Sequence, residues 1–272
     1  MVASIFTNLS STGIGLAFVI GSVVFSLLGL LIFKKISEKE HIKKSSESFV
    51  ALISIIAILY AVLLAFIVVV AWENYDSAGN NVDDEANMIA SCFRDADVLQ
   101  DTVKGRMLQK DFMIYDSLIY TREWKTMQVP ELNDQGKPSR AAKEIKPVLK
   151  NIYQLFKEYK GLNTKDDFVY QEIFHSFNKM QELRRARLFN CNKEIPNILW
   201  MVILAGTIIT LIFTFFFHFE NFFTKAVFTS LIAIMMALTM FLIYFLNHPY
   251  KSKSITAEPY EKVHNMSNQT GK

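Results

Sequence analysis

Four long apolar stretches stand out along the chain, arranged as two pairs on either side of a polar block. They cover residues 13–33, 49–71, 196–217 and 226–246, and none of them contains Lys, Arg, Asp or Glu. At about 1.5 Å per residue, about 20 helical residues cross a hydrocarbon core of about 30 Å. Four such runs in one chain disfavour buried helices of a soluble protein. The pattern predicts an all-α membrane protein with four transmembrane helices and an extramembrane helical bundle inserted between the second and third.

The same pattern divides the chain into four parts. The polar block at 72–195 carries 19 Lys or Arg and 20 Asp or Glu, so its net charge is 19 − 20 = −1. Such a block has no basic footprint for nucleic acid, and the partner expected from the sequence is the lipid bilayer. The predicted parts are an N-terminal transmembrane helix pair at 1–71, the extramembrane helical bundle at 72–195, a C-terminal transmembrane helix pair at 196–247 and a polar tail at 248–272.

The second apolar stretch is predicted to continue into the polar block as one helix. Apolar residues recur there at steps of three or four, which is the period of a helix with one buried face. No proline occurs in 49–99, and Gly79 costs only about 1 kcal/mol relative to Ala, too little to break a helix. The stripe consists of Ala71, Tyr75, Ala78, Val82, Ala86, Ile89 and Phe93.

Three further helices are expected in the polar block. Asp101 is the predicted N-cap of the first. Its apolar stripe is Val103, Met107, Ile114 and Leu118. A loop rich in Pro and Gly follows at 130–138, Ser139 caps the next helix, and Gly161 ends it. The residues at 164–167 resemble a capping box that opens the last helix. Four helices that enter and leave at the membrane indicate an antiparallel bundle.

The chain shows no motif for catalysis, a cofactor or a metal. It has neither an EF-hand loop, nor a Gly-rich phosphate loop, nor an HExxH motif, so we expect no catalytic residues, no cofactor and no enzymatic activity. The acidic run 83–85 fans over about 200° of a helix, which favours a solvated face. The cysteines, Cys92 and Cys191, lack metal-binding spacing; a disulfide is open, but isolated thiols on helix surfaces are favoured.

Four basic residues precede the third apolar stretch: Arg184, Arg185, Arg187 and Lys193. Two interpretations are open for them. They anchor the protein to phosphate headgroups, or they form a basic ring that concentrates anions at the mouth of an oligomeric pore. Within the apolar stretches, small residues recur at helix-packing spacing and predict close helix contacts within or between subunits. These pairs are Ala17 with Gly21, Ser22 with Ser26, and Ala233 with Ala237.

The basic residues that flank the spans favour two opposite orientations in the membrane. The N-terminus at 1–12 has no Lys or Arg, whereas the loop after the first span has five lysines. The positive-inside rule places that loop in the cytoplasm and the polar block outside. The basic residues before the third span, with Lys251 and Lys253, favour the opposite. We expect a multi-pass protein of the bacterial inner (cytoplasmic) membrane, with the block at 72–195 weakly favoured on the extracytoplasmic side. The five lysines are Lys34, Lys35, Lys39, Lys43 and Lys44.

Several short segments, in this order and at this spacing, resemble the bestrophin-like domain family of bacteria and plants. The segments are Asn74-Tyr75-Asp76-Ser77-Ala78, Glu85-Ala86-Asn87, Arg94-Asp95-Ala96-Asp97, Glu123-Trp124, Arg185-Ala186-Arg187-Leu188, Ile195-Pro196-Asn197-Ile198-Leu199-Trp200 and Leu246-Asn247-His248-Pro249-Tyr250. The resemblance implies a distant likeness to bestrophin anion channels, which are pentamers with four spans and a large helical region between the second and third. The acidic calcium clasp of animal bestrophins has no counterpart here.

The same resemblance implies that the second span lines a pore neck with apolar side chains. Ile58, Val62 and Phe66 form one such line at i, i+4 and i+8, although ordinary packing against lipid or helices is open for them. The function expected is a homo-oligomeric membrane ion channel, with anion selectivity favoured, an apolar neck and a helical vestibule. A pentamer is the candidate assembly, and small anions are the candidate ligands. The alternative is a non-conducting sensor or scaffold whose bundle binds a ligand or a partner protein.

Overall fold

All regular elements in the described part of the chain are helices. The computed structural model describes residues 11–40, 47–128, 140–158, 164–191, 193, 195–217 and 219–270. The predicted loop at 130–138, the cap at Ser139 and the helix end at Gly161 lie outside them. The helices are α1 (Ser11–Glu40), α2 (Glu47–Asp97), α3 (Thr102–Leu118), a π-helical segment (Ile119–Glu123), α4 (Trp124–Gln128), α5 (Arg140–Lys157), α6 (Thr164–Cys191), α7 (Asn197–Phe216), α8 (Phe222–Leu246) and α9 (Glu258–Thr270).

The chain forms two compact units. The first, called here the membrane unit, consists of Met1–Asn74 and Glu194–His248. The second, called the polar unit, consists of Tyr75–Lys193 and Pro249–Lys272. Helix α2 contributes to both, since it runs for 51 residues as one element. The prediction that the second span continues as one helix through Gly79 is confirmed.

Among the described residues, four helices are long and apolar enough to cross a membrane. They are Thr12–Ser37, the apolar part of Ala51–Asp97, Asn197–Phe216 and Phe222–Leu246. Large apolar side chains such as Leu59, Phe66 and Phe223 are 66, 69 and 77% exposed. A soluble monomer rarely exposes apolar surface on this scale, whereas a bilayer solvates it without cost. The chain is a multi-pass membrane protein.

Helices α1 and α8 pack through small residues. The Ser22 hydroxyl donates to the Ala233 carbonyl over 3.0 Å, and Ser26, Ala233 and Ala237 are all buried. These contacts confirm the small-residue prediction within the protomer, because only short side chains let two backbones approach this closely. Ala17 and Gly21 are exposed instead. A contact of this second pair with another subunit stays a prediction.

Helix α7 packs against α2 at a glycine. A Cβ at Gly206 would overlap the ring of Tyr60. The Tyr60 hydroxyl donates to the Ile203 carbonyl at 2.6 Å and lies 2.9 Å from the Thr207 hydroxyl. The ring occupies this place only because position 206 has no side chain. The last turn of α7 is capped by Lys225, whose ammonium donates to the Phe215 carbonyl at 2.6 Å.

The polar unit has its own apolar core, to which α2, α3, α5, α6 and α9 contribute. On α2, the predicted stripe is buried from Ala78 to Ile89. On α5, Ile145, Ile152 and Phe156 are buried. Asp101 caps α3 as predicted, and its carboxylate accepts from the Lys104 amide at 3.1 Å.

The stripe predicted for α3 is wrong for Val103, Met107 and Ile114, whereas Leu118 is partly buried against the core. Val103 is 63% exposed and Met107 is 49% exposed. The buried face consists of Gly105, Leu108, Phe112, Tyr115 and Asp116. A Cβ at Gly105 would lie 2.5 Å from the Ala96 carbonyl oxygen of α2. The absence of a side chain at Gly105 therefore allows the hairpin of α2 and α3 to close on that face, and the aromatic residues fill the core.

The tail adds a helix to the polar unit. Tyr250, Tyr260 and Val263 are buried there, and the Tyr250 hydroxyl donates to the Ala78 carbonyl at 3.2 Å. The polar composition of 248–272 gave no sign of this, because only a few apolar positions in the tail face the core.

Candidate functional site

A fully buried arginine lies in the core of the polar unit. Arg187 has no exposed side-chain surface and is among the largest fully buried side chains of the described residues. It continues the buried face of α6, on which Ile173, Phe177 and Met180 recur at steps of four and three. Arg187 follows Met180 by seven residues, about two helical turns, so it lies on the same face.

Glu85 on α2 is the first partner of Arg187. The Nε of Arg187 donates to Oε2 of Glu85 at 2.7 Å, and Nη2 lies 3.3 Å from Oε1. Glu85 is completely buried, whereas Asp83 and Asp84 are exposed. The predicted solvated face is therefore correct for the two aspartates and wrong for Glu85. Its position three residues after Val82 places it on the buried stripe of α2.

Glu123 is the second carboxylate of the cluster, at the end of the π-helical segment. It accepts from Nη2 of Arg187 at 2.7 Å and from Nη2 of Arg184 at 2.5 Å. A π-helical turn holds an additional residue, so it shifts the residues that follow it around the helix axis. In this register both Glu123 and Trp124 are buried. The π-helical segment thus directs the carboxylate of Glu123 toward α6, although the neighbouring buried side chains are aromatic.

Two tyrosines complete the shell around Glu85. The Tyr115 hydroxyl donates to Oε1 at 2.8 Å, and the Tyr260 hydroxyl of α9 donates to Oε2 at 3.0 Å. The guanidinium of Arg187 also lies 5.6 Å from the centre of the Tyr260 ring. Buried charges are tolerated when they are paired and hydrogen-bonded, and this carboxylate meets both conditions.

The charges of the cluster balance. Arg184 and Arg187 supply two positive charges, and Glu85 and Glu123 supply two negative ones. Burial opposes the charge on Arg187, but Glu85 and the groups around it hold its pKa well above the ordinary value. Burial raises the pKa of Glu123, but the charges and hydrogen bonds of Arg187 and Arg184 together outweigh that effect and lower this pKa below its ordinary value. Burial raises the pKa of Tyr115 and of Tyr260, so both tyrosines remain hydrogen-bond donors at neutral pH.

Asp116 lies beside this cluster and is also fully buried. Its pKa is raised to about 7, first by burial and then by the charge of Glu85. The Nδ1 of His264, on α9, lies 3.4 Å from its Oδ2. Asp116 on α3 thus contacts the tail helix α9 through a titratable carboxyl group.

The four predicted basic residues are of two kinds. Arg184 and Arg187 belong to the buried cluster, whereas Arg185 and Lys193 are exposed. The predicted pore line is exposed along α2, with Ile58, Val62 and Phe66 at 63, 50 and 69%. An ion-concentrating or headgroup-binding role for the basic residues stays a prediction, as does a pore-lining role for the apolar ones.

The two cysteines are free thiols. Cys92 is completely buried and Cys191 is partly buried, so the prediction of surface thiols is wrong for Cys92. The reason is register, since Cys92 follows Ile89 by three residues on the buried stripe of α2. Within the described ranges, no three His, Cys, Asp or Glu side chains are grouped as a metal site requires.

The cluster brings together short segments that are far apart in the chain. Glu85, Glu123, Arg187 and Tyr250 each belong to one of the segments on which the family resemblance rests. Trp124 connects the last of these to the others, because its ring packs edge-on against that of Tyr250 at 5.7 Å. The order and spacing of these segments indicated the family. They did not indicate the buried ion pairs, since a single sequence does not show which carboxylate contacts which arginine.

This chain is similar in sequence or in fold to known membrane proteins. The Bestrophin-like domain matches residues 20–256. A bacterial bestrophin homologue from Klebsiella pneumoniae, solved with one substitution, is similar with a TM-score of 0.67 at 11% identity, over 94% of this chain and 98% of that one. A crystal structure described as a membrane protein with one substitution has a TM-score of 0.67 at 10% identity, over 93% and 98%. No curated protein matches. At such low identity these likenesses show a bestrophin-like fold.

Proposed function

We propose, because the chain belongs to the bestrophin-like domain family, that it is a homo-oligomeric ion channel with anion selectivity favoured. The observation that carries this proposal is the combination of the family match with a structural likeness to a bacterial bestrophin homologue over 94% of the chain. A channel needs a continuous central path, and a single protomer with four spans gains one when several copies close a ring. A pentamer is the proposed assembly.

The apolar neck is proposed to come from α2. Ile58, Val62 and Phe66 repeat every four residues, so they lie on one face and extend over about 12 Å along the helix at about 1.5 Å per residue. All three are exposed in the protomer. A ring of such side chains around a narrow path excludes water when it closes, which gates ions by dewetting.

The anion preference is proposed to come from exposed basic residues. The charges of Arg184 and Arg187 are balanced within contact distance by Glu85 and Glu123, so they add little potential at long range. Arg185 and Lys193 are exposed. At physiological salt the Debye length is about 8 Å, so these two side chains raise the anion concentration only in their immediate surroundings.

The proposal is tested with purified, oligomeric protein in planar bilayers. Phe66→Ala should alter gating, because it widens the apolar neck. Arg185→Gln combined with Lys193→Gln should lower anion conductance at low salt and have a smaller effect at high salt. Lys165→Gln is the matched control, since it removes an exposed positive charge at the other end of α6. If the wild-type oligomer passes no current at any tested voltage, pH or calcium level, the channel proposal is abandoned.

The subunit number has its own measurement. Native mass spectrometry of the detergent-solubilised protein should give one species at a multiple of the 31.3 kDa chain mass. A closed ring of five predicts about 157 kDa after lipid and detergent are removed. A monomer that persists at all concentrations contradicts the pore, because four packed spans of one protomer leave the α2 line facing lipid.

The second candidate is a non-conducting sensor or scaffold. The supporting observation is an exposed face of α3, where Val103 and Met107 alternate with Arg106 and Lys110 around a shallow depression. A mixed apolar and basic face suits an acidic ligand or partner protein. Substituting both basic residues should abolish partner recruitment in a scaffold and leave conductance unchanged in a channel.

The orientation is proposed to place residues 72–195 outside the cytoplasm of a bacterial inner membrane. Because Cys92 is buried, the test uses an engineered thiol at exposed Lys165 in a Cys191→Ala background. A membrane-impermeant maleimide should label Lys165→Cys in intact spheroplasts. Labelling that requires permeabilisation supports the opposite orientation.

A further inference from the structure

The contact between Asp116 and His264 connects two helices that are far apart in the sequence. Both carboxylate oxygens of Asp116 are buried, and neither has a hydrogen bond of good geometry among the described residues. The imidazole of His264 is close enough for an ion pair, with 3.4 Å between Nδ1 and Oδ2. The His264 side chain is 34% exposed, so the contact lies at the border between the core and solvent.

The same face of α9 carries a second contact. Tyr260 precedes His264 by four residues, one helical turn, and its hydroxyl donates to Glu85 at 3.0 Å. The contacts of α9 with the bundle therefore include a neutral hydrogen bond at Tyr260 and the contact of His264 with the titratable carboxyl of Asp116. The charge of Glu85 on α2 acts on Asp116. Glu85 belongs to the buried cluster with Tyr115 from α3, Glu123 from the π-helical segment, Arg184 and Arg187 from α6, and Tyr260 from α9.

The positive charges of this cluster are already balanced by its two glutamates, so they do not balance an ionised Asp116. Each of the two arginines is in contact with a glutamate of the cluster. An ionised Asp116 adds a third buried negative charge to two pairs that already balance. Of the groups named above, none supplies a further positive charge. The protonated, neutral form of Asp116 removes this negative charge from the core.

We propose that Asp116 forms a proton-controlled clasp with His264, which docks α9 onto α3 while the carboxyl of Asp116 is protonated and releases α9 when that carboxyl ionises. Release also removes the Tyr260 hydroxyl from Glu85, so the state of the tail is transmitted to the buried cluster. This clasp is independent of ion conduction and applies equally to a channel and to a scaffold.

The direction of the pH effect follows from linkage. In the docked structure burial, and after it the charge of Glu85, raises the pKa of Asp116 from an ordinary value of 3.8 to about 7. A group that binds its proton more tightly in the docked state favours docking at low pH, and this advantage is lost as the pH rises to about 7. Above that pH both states are deprotonated and the effect ends. Between pH 5.5 and 8.5 the docking constant should fall by up to about 30-fold if release returns Asp116 fully to solvent.

The test is hydrogen–deuterium exchange of the full-length protein in lipid nanodiscs from pH 5.5 to 8.5. Exchange rates are corrected for the intrinsic effect of pH, and peptides covering residues 258–266 report the docking of α9. In the wild type their protection should fall by up to about 30-fold over this range. In Asp116→Asn, which is neutral and close in shape, protection should be nearly independent of pH.

Two further variants separate the clasp from general effects. Tyr260→Phe should lower the protection of α9 by a similar factor at every pH and leave the pH dependence in place. His175→Gln removes an exposed histidine of α6 and should change nothing. The proposal is overturned if wild-type protection is flat across the range, if Asp116→Asn keeps the full pH dependence, or if α9 is unprotected at every pH.

Discussion

Replacing Arg187 with methionine is the most direct test of the buried cluster. The change keeps most of the side-chain volume and removes the charge. Glu85 then loses both guanidinium contacts, at 2.7 and 3.3 Å. Glu123 loses one contact but keeps Arg184 at 2.5 Å. One fully buried carboxylate is left without a positive partner, which typically costs about 3–5 kcal/mol.

This cost converts into a large change in melting temperature. The polar unit, Tyr75–Lys193 and Pro249–Lys272, contains 119 + 24 = 143 residues. For a unit of this size about 1 kcal/mol corresponds to about 3 °C, so the melting temperature should fall by about 10–15 °C. Fluorescence of Trp124 reports this unit, because its ring lies 5.7 Å from that of Tyr250 and 6.0 Å from that of Tyr260. The Trp72→Phe/Trp200→Phe background removes the other two tryptophans.

Arg185→Met is the matched control, because it removes the same charge two residues earlier from an exposed position. Its effect should stay within about 0.5 kcal/mol. The double variant Glu85→Gln/Arg187→Met removes both charges of the fully buried pair and should recover about 0.5–3 kcal/mol relative to the sum of the single changes. Equal melting of the Arg187 and Arg185 variants would refute the view that the cluster stabilises the polar unit.

Three further predictions use the same melting assay, and each follows the melting of the unit that contains the substituted residue. Gly206→Ala should destabilise the membrane unit by about 1–3 kcal/mol because its methyl group meets a tyrosine ring of α2, whereas Gly21→Ala, with open space around it, should not. Gly105→Ala should destabilise the polar unit by a similar amount because its Cβ meets a carbonyl at 2.5 Å, whereas Gly79→Ala meets only an ordinary contact at 3.9 Å and should stabilise α2 by up to about 1 kcal/mol. The pKa of Asp116 is about 7 in the folded protein and 3.8 as its ordinary value. The stability that its proton adds is therefore lost as the pH rises to about 7. Asp116→Asn should be more stable than wild type at pH 8.5 but not at pH 5.5.

The apolar period predicted α2 well because one strong signal covered the whole helix. Four spans free of charge and a stripe without proline leave little choice of element, and α2 runs from Glu47 to Asp97. On α3 the same reasoning failed, since apolar residues occur on two faces. Close approach at Gly105 selected the face of Phe112 over that of Val103, and a single sequence does not show which face another helix will approach.

The buried cluster was missed for a different reason. A charged residue is usually solvated, so Glu85 was assigned to the same face as Asp83 although its spacing of three from Val82 matched the buried stripe. Arg187 carried the same signal at seven residues from Met180. When a charged residue falls in register with a buried stripe and an opposite charge does so on another helix, a buried pair is the better prediction. The π-helical segment that directs Glu123 inward has no comparable signal.

The geometry of the cluster suggests why the polar unit contains charges where apolar side chains would pack. Glu85 and Arg187 are separated by 102 residues, and Glu85 and Tyr260 by 175. Apolar faces of antiparallel helices can slide by one turn with a modest loss, whereas a guanidinium that contacts two carboxylates at once fits one register only. We hypothesise that the cluster fixes the register of α2, α6 and α9 at a cost in desolvation. A variant with Glu85, Glu123, Arg184 and Arg187 all replaced by apolar residues should then keep or exceed wild-type stability but lose the single set of α9 protection factors. Retention of wild-type protection in that variant would contradict a role in register.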